Sequence, residues 1–419
     1  MKILIVNAGD VGHCIELVTA MQKQLSEGID VVDTLTPFPA SFQSEKDEHF
    51  YVPSSCDLNL DDKFKFISKF ICYKKNIYDL IVFFTFDELL SLTEDSLLYL
   101  KESLGQVMIT GIYYSSSYWR IEDKRGWCSY RESKLIDFNI PFVFSPDPLI
   151  EHLCLDDERA KLKFKWLPDF TTNYVDQSCN SLINNINYQK GSRQVVGLLG
   201  SLGKWKGVYE LVSCIYQNQQ LLDDYLFILS GELVEATFTK IEFNNLQEWL
   251  YELDGKIIHN NNKIETEAGF NMLVSCCDII YSVYSNPQSS GLISKAIRFN
   301  KPILYPNDGF IPDLMNMLDY YGEEVNVRNI TPALIINKIS LLSSRAKKIS
   351  KETLRYAELL MPCNSAELFV QQVSQHAFLN KLIGSRGVIV EGNIDSLVYS
   401  YNFFRLEIMK QYKKEGENT

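Results

Sequence analysis

Short runs of consecutive apolar residues alternate with longer stretches of helical spacing through most of the chain. Ile3 to Val6, Val31 to Leu35, Leu80 to Phe84, Val107 to Tyr113 and Phe164 to Pro168 read as buried strands, and Phe142 to Pro148 as the exit of another. Cys14 to Leu25, Glu94 to Leu104 and Leu149 to Leu155 carry the period of helices lying between them. Apolar runs of this kind need cover on both faces, so the pattern predicts a parallel sheet with helices on either side. Thr36 to Cys56, largely polar and holding Pro37, Pro39 and Pro53, is expected to be a long loop. A polar stretch, Thr171 to Ser192, then interrupts the series and marks a linker. The alternation resumes with Val195 to Leu199, Tyr225 to Ser230, Lys256 to His259, Ile279 to Val283 and Ile303 to Tyr305 as strands. Val208 to Gln217, Phe270 to Cys277 and Leu292 to Phe299 are its helices. Four more follow: Ile330 to Leu342, Lys351 to Leu360, Glu367 to Leu382 and Ile394 to Tyr412.

A length of 419 residues fits two domains better than one core. The expected architecture is α/β, with a Rossmann-like domain over 1–175 and a second over 193–382. A helical segment, 383–419, is expected to pack back on the first domain. The net charge of -12 argues against nucleic acid as a partner, because a phosphate backbone needs a basic surface. Ten cysteines include no CxxC pair, which predicts reduced thiols and no structural zinc. Met1 to Asp10 reads as a strand and a glycine turn, and no apolar run reaches the roughly 18–20 residues of a membrane span. A cytoplasmic protein is expected. Asp61 to Lys75 stands apart, with Lys63, Lys65, Lys69, Lys74 and Lys75 among Phe64, Phe66, Ile67, Phe70 and Ile71. Such a basic amphipathic helix either touches an anionic membrane surface, placing the protein peripherally at its inner face, or covers one face of the sheet.

Candidate chemistry concentrates in the second half. Ser289, Ser290 and Gly291 open a helix whose first backbone N–H groups and dipole suit a phosphate or diphosphate, with Lys295 one turn further in. Tight packing explains such a loop equally well. Gly200 to Gly207 is a glycine-rich turn with Lys204 and Lys206, again a phosphate-binding composition. It does not match GxxxxGK[ST], since Lys206 precedes its glycine, so a P-loop is not implied.

Taken together these segments resemble a known family. Gly200-x-Leu-x-x-x-Lys206-Gly207, at the first strand–helix turn of the second domain, resembles the family 4-like glycosyltransferases of the GT-B fold. Asp278 to Ser285 is similar to their strand before the donor loop, and Ser289 to Pro302 to the helix and strand entry after it. The resemblance implies two Rossmann-like domains facing each other across a cleft. It implies a nucleotide-diphosphate sugar as co-substrate, no cofactor, no metal, and a glycan, lipid-linked or protein acceptor. The chain holds no Asp-x-Asp triplet, in keeping with that. The donor diphosphate would be held by Ser201, Gly203, Lys206, Ser289, Ser290, Gly291 and Lys295, and the nucleobase by Lys263 and Ile264. Two departures stand out: Ser201 occupies the position of a family Arg, and the Glu-x7-Glu pair falls on Pro287 and Lys295. Acceptor contacts are expected at the strand exits of the first domain, at Gly9 and Gly12, at Asp87 beside Glu88, and at Tyr114. Asp10 and His13 are candidates for a general base; alternatively Asp10 caps a helix and His13 is solvated on its first turn. A nucleotide-sugar epimerase and a non-catalytic GT-B subunit supporting a partner transferase are the alternative functions, the latter motivated by the missing acidic pair.

Overall fold

Four of the five residues of β1, Lys2–Val6, are buried, because the strand lies mid-sheet with both faces covered. The computed structural model describes residues 1–9, 14–29, 31–37, 46–53, 58–74, 77–155, 157–172, 174–175, 180–264, 266–285, 291–344 and 349–374. They fall into two units, one from 1–170 with 359–374 and the other from 171–358.

In the first unit β1 pairs in parallel with β2, Val31–Thr36, and with β4, Leu80–Phe83. The order is β3-β2-β1-β4-β5, with β3 at His49–Tyr51 and β5 at Met108–Gly111. β6, Val143–Ser145, pairs with β7, Phe164–Trp166, and a bridge from Ile112 to Phe144 joins them to the end of β5. β3 lies inside the expected loop 36–56. At three residues on a sheet edge it is too short to leave an apolar run.

The helix Leu60–Tyr73 puts Phe64, Ile67 and Ile71 into one core with Leu4, Val6, Ile81 and Phe83. Its neighbour Glu94–Leu104 adds Leu97 and Leu100. The lysine-rich segment is therefore cover for the sheet. Lys63 is buried and donates to the Ala8 carbonyl at 2.8 Å. Lys65 pairs with Asp62 at 3.1 Å, and Lys74 with Glu48 at 3.2 Å. Phe66, Lys69 and Tyr73 keep an exposed outer face.

The helix Glu122–Ser133 has no counterpart in the sequence reading, being polar almost throughout. Buried Glu132 anchors it, accepting from the Trp119 indole at 2.7 Å and from the Lys161 and Leu162 backbone at 3.0 and 3.2 Å. Burial pushes its carboxyl from the ordinary 4.5 up to about 7, against the pull of these donors. The folded state thus keeps this proton to higher pH than the unfolded chain, so its contribution to stability falls as pH rises from 4.5 to about 7. Glu132→Gln should flatten the dependence of Tm on pH in that window. Equal slopes in the two melting series would assign the titration to other groups.

The second unit holds a six-stranded parallel sheet, order β10-β9-β8-β11-β12-β13. Its strands are β8 Gln194–Leu199, β9 Tyr225–Ser230, β10 Ile258–Asn260, β11 Ile279–Tyr281, β12 Ile303–Pro306 and β13 Gly322–Val325. The helices Val208–Gln217, Lys240–Glu252 and Pro332–Ser344 share one core with β8, β9 and β11. The expected linker is partly helical, since Asn180–Lys190 forms a helix whose Lys190 pairs with Asp278 at 2.8 Å. The helix Pro362–Ser374 belongs to the first unit, where Phe369 packs on Phe144 and Gln372 donates to the Trp166 carbonyl at 2.8 Å. The chain therefore rejoins the first unit at Leu359, earlier than the expected boundary after 382. The segment 383–419 lies outside the described residues.

Candidate functional site

Connectivity in the second unit runs outward from the middle, β8 to β9 to β10 on one side and β11 to β12 to β13 on the other. The C-terminal ends of β8 and β11 therefore open on the topological switch point, where sheets of this kind bind ligands. Two loops leave it, one after Leu199 and one after Tyr281. They are tied together: the Ser285 N–H donates to the Trp205 carbonyl at 2.7 Å, and the Tyr281 hydroxyl to that of Gly207 at 3.4 Å. At the end of β9, Gly231 has φ +141°, and a Cβ there would fall 2.1 Å from the Gly200 carbonyl oxygen. Gly231→Ala should lower Tm by several degrees, since strain at positive φ and a backbone clash together exceed the roughly 1 kcal/mol of an ordinary glycine substitution. An unchanged melting curve would show that the two strand ends separate freely.

Lys206 lies at the centre of this geometry. Its ammonium donates to the Leu199 carbonyl at 3.1 Å and lies 5.4 Å from the centroid of the Tyr284 ring. Gly200 leaves room for it, since a Cβ there would sit 2.8 Å from Nζ. The Phe270 ring lies on the same side, 3.9 Å from that Cβ position. The helix Gly291–Arg298 starts after β11, and no atom of the described residues lies within 4 Å of a Cβ built on exposed Gly291. Ser289 and Ser290 lie outside the described residues.

The remaining donor-site residues divide. Ser201 is exposed, directly after Gly200. Gly203 is covered by the Trp205 indole, which a Cβ would meet at 2.2 Å, so this glycine serves packing rather than approach to a ligand. Lys204 pairs with Glu242 at 2.5 Å and holds that carboxyl down at about 2. Lys295 requires a larger correction. It falls on the buried stripe of its helix with Leu292 and Ala296, and its ammonium is ion-paired with Glu267 of the helix Glu267–Cys276. It also donates to the Thr171 hydroxyl at 2.9 Å. Lys295 is thus a counter-ion in the core rather than a cation presented at the helix start. Lys263 is exposed and Ile264 half-buried just after β10, two strand spacings, or about 10 Å, from β8.

In the first unit the switch point lies between β1 and β4. Gly9 stands at the exit of β1, and a Cβ on it would lie 2.9 Å from Glu88 Oε1. Asp87 is corrected: its two oxygens accept the Tyr114 and Ser115 N–H groups at 2.7 and 2.8 Å, capping the turn Tyr114–Arg120. Burial raises its carboxyl pKa while those donors lower it. Tyr114 is half-buried and enters through its backbone. Asp10, Gly12 and His13 lie outside the described residues. Among the described residues no three His, Cys, Asp or Glu side chains gather as a metal site.

No protein-family model matches the sequence, and neither does any curated protein. Solved structures do match. The Anabaena protein HepE, crystallised with UDP and glucose, superposes with a TM-score of 0.61 at 14% identity over 89% of this chain and 99% of its own. Sucrose-phosphate synthase from Thermosynechococcus elongatus gives 0.63 at 14% identity, covering 91% and 100%. Trehalose 6-phosphate synthase from Burkholderia multivorans gives 0.65 at 10% identity, covering 91% and 98%. The fold is that of the GT-B glycosyltransferases.

Proposed function

We propose that the protein is a glycosyltransferase that moves a sugar from a nucleotide-diphosphate donor to a glycan, lipid-linked or protein acceptor. The observation that carries this reading is the position of Lys206, a cation held at the carbonyl end of β8 and 5.4 Å from the ring centroid of Tyr284, in the segment that leads from β11 towards the helix Gly291–Arg298. An ammonium and a helix N-terminus at one switch point suit two adjacent phosphates. They would stabilise the charge that develops on a departing diphosphate without a metal ion. Lys263 and Ile264 would meet the nucleobase. Ser201 and the loop holding Ser289 and Ser290 would complete the phosphate cradle, and Gly9, Gly12, Asp10 and His13 would meet the acceptor. HepE has been crystallised with UDP-glucose, which makes UDP the first nucleotide to try.

The described cysteines are free thiols, which fits a reducing cytoplasm, and no helix among the described residues is long and apolar enough to cross a membrane. Peripheral contact with the inner membrane face would use Phe66, Lys69 and Tyr73. The test is a thermal-shift panel of UDP, GDP, ADP, dTDP and CMP, each with and without EDTA. A ligand at about 100 times its Kd should stabilise its unit by roughly 2.7 kcal/mol. A shift with one diphosphate that survives EDTA supports the reading. A shift abolished by EDTA removes its metal-free part, and no shift with any nucleotide sinks it in favour of a supporting subunit.

A further inference from the structure

The second unit carries a cleft at the amino ends of its strands, the opposite edge of the sheet from Lys206. Gln194 opens β8 there, Asp278 and Ile279 stand at the start of β11, and Lys301 and Pro302 lead into β12. The cleft holds about 220 Å³. That exceeds the roughly 150 Å³ that admits a benzene ring. Three of its polar side chains have hydrogen-bonding capacity to spare. Gln194 Oε1 is buried and has no hydrogen-bond partner, a costly state for an acceptor unless something donates to it. Both partners of Asp278, the Lys190 ammonium at 2.8 Å and the Val195 N–H at 2.9 Å, meet Oδ2; among the described residues none meets Oδ1. The Lys301 ammonium gives one of its three protons to the Ser275 carbonyl, at 2.6 Å. Two other lining groups are taken up by the fold. The Ser343 hydroxyl accepts from that of Tyr225 at 3.0 Å and donates to the Ile339 carbonyl at 2.8 Å, and the Tyr321 hydroxyl donates to the Leu342 carbonyl.

We propose that this cleft binds a small neutral polyol, a monosaccharide or cyclitol ring. The charges of the lining decide the class. Asp278 and Lys301 are of opposite sign, so an ammonium ligand would face Lys301 and an anion would face Asp278. A hydroxyl both donates and accepts. Neighbouring hydroxyls of one ring can therefore donate to Asp278 Oδ1 and Gln194 Oε1 and accept from Lys301, the carboxamide turning about its last torsion to meet them. Ile279, Pro302 and Leu342 supply an apolar wall for the carbons of such a ring. The site is separate from the donor site. β8 runs six residues from Gln194 to Leu199, about 16 Å at the usual strand rise. An occupant at its start leaves Lys206 accessible, whatever reaction the switch point serves.

The experiment is saturation-transfer NMR on the full chain, with D-glucose, D-mannose and myo-inositol as probes at millimolar concentration. At least one should receive saturation from the wild type, and its titration gives a Kd. Asp278→Asn keeps an oxygen for the Val195 N–H but puts a donor where the second acceptor stood. It should raise that Kd roughly tenfold or more, as expected when a hydrogen bond to a charged group is lost. Gln194→Leu should raise it roughly three- to tenfold, the range for a neutral hydrogen bond. Both variants should melt close to the wild type, since one loses a partly exposed ion pair and the other an unpartnered buried oxygen. That separates loss of the site from loss of the fold. A wild type that transfers saturation to none of the three probes overturns the proposal. So does a Kd unchanged in either variant, which would place the sugar elsewhere on the chain. Displacement of the polyol by ethylammonium or inorganic phosphate would make the cleft an ion site and overturn the neutral class.

Discussion

Lys206→Ala should weaken UDP binding by roughly 10- to 150-fold, the range expected when a hydrogen bond to a charged group is lost. The ammonium sits 3.1 Å from the Leu199 carbonyl and over the Tyr284 ring, at the mouth of the switch point and only half-buried. It caps a single backbone carbonyl, so its removal should move the melting temperature of the unliganded protein little. Lys204→Ala is the informative control. That lysine belongs to the same turn but pairs with Glu242, so its loss should leave UDP affinity within about twofold and act only through a surface ion pair. Calorimetric titration of both variants separates the two lysines. If Lys206→Ala bound UDP as tightly as the wild type, the diphosphate would have to be held elsewhere, and the site at β8 would be a packing feature.

The contrast between these lysines shows what the sequence can and cannot carry. Strands such as Ile3 to Val6 and Val195 to Leu199 were legible because a strand buried on both faces must be an unbroken apolar run. The glycine turn after Leu199 was legible because close approach of backbones excludes side chains, and Gly200 and Gly231 meet as that requires. The polar helix Glu122–Ser133 and the edge strand His49–Tyr51 were not, since neither leaves an apolar period. Side-chain partners were the least accessible level. Nothing local to residue 204 names Glu242, 38 positions away, and nothing local to residue 87 names the backbone of Tyr114. A charged residue in a suggestive loop is one candidate among several until its neighbours are known. Here the neighbours show Asp87 engaged with the backbone of Tyr114 and Ser115, and Lys295 with Glu267.

Lys295→Met should destabilise the second unit by roughly 3–5 kcal/mol, because it leaves the Glu267 carboxylate buried without its counter-charge. The pair is enclosed by the helices Glu267–Cys276 and Gly291–Arg298, and the same ammonium holds the Thr171 hydroxyl at 2.9 Å. Asn271, one helical turn beyond Glu267, donates to the Thr172 and Tyr174 carbonyls at 3.1 and 2.9 Å, so the start of the unit is fastened at two points. Glu267→Leu alone should be comparably harmful, stranding the lysine instead. The double variant Lys295→Met/Glu267→Leu should recover most of the loss, since a buried pair replaced by apolar groups of similar volume is often close to neutral. Urea unfolding of the four proteins, followed through the transition of this unit, gives the coupling energy directly. UDP titration of the double variant then decides between the two roles open to Lys295. A counter-ion in the core predicts a refolded unit that binds UDP within a few-fold of the wild type. A lysine that also reached the diphosphate would leave the double variant stable but nearly unable to bind, and would return residue 295 to the donor site.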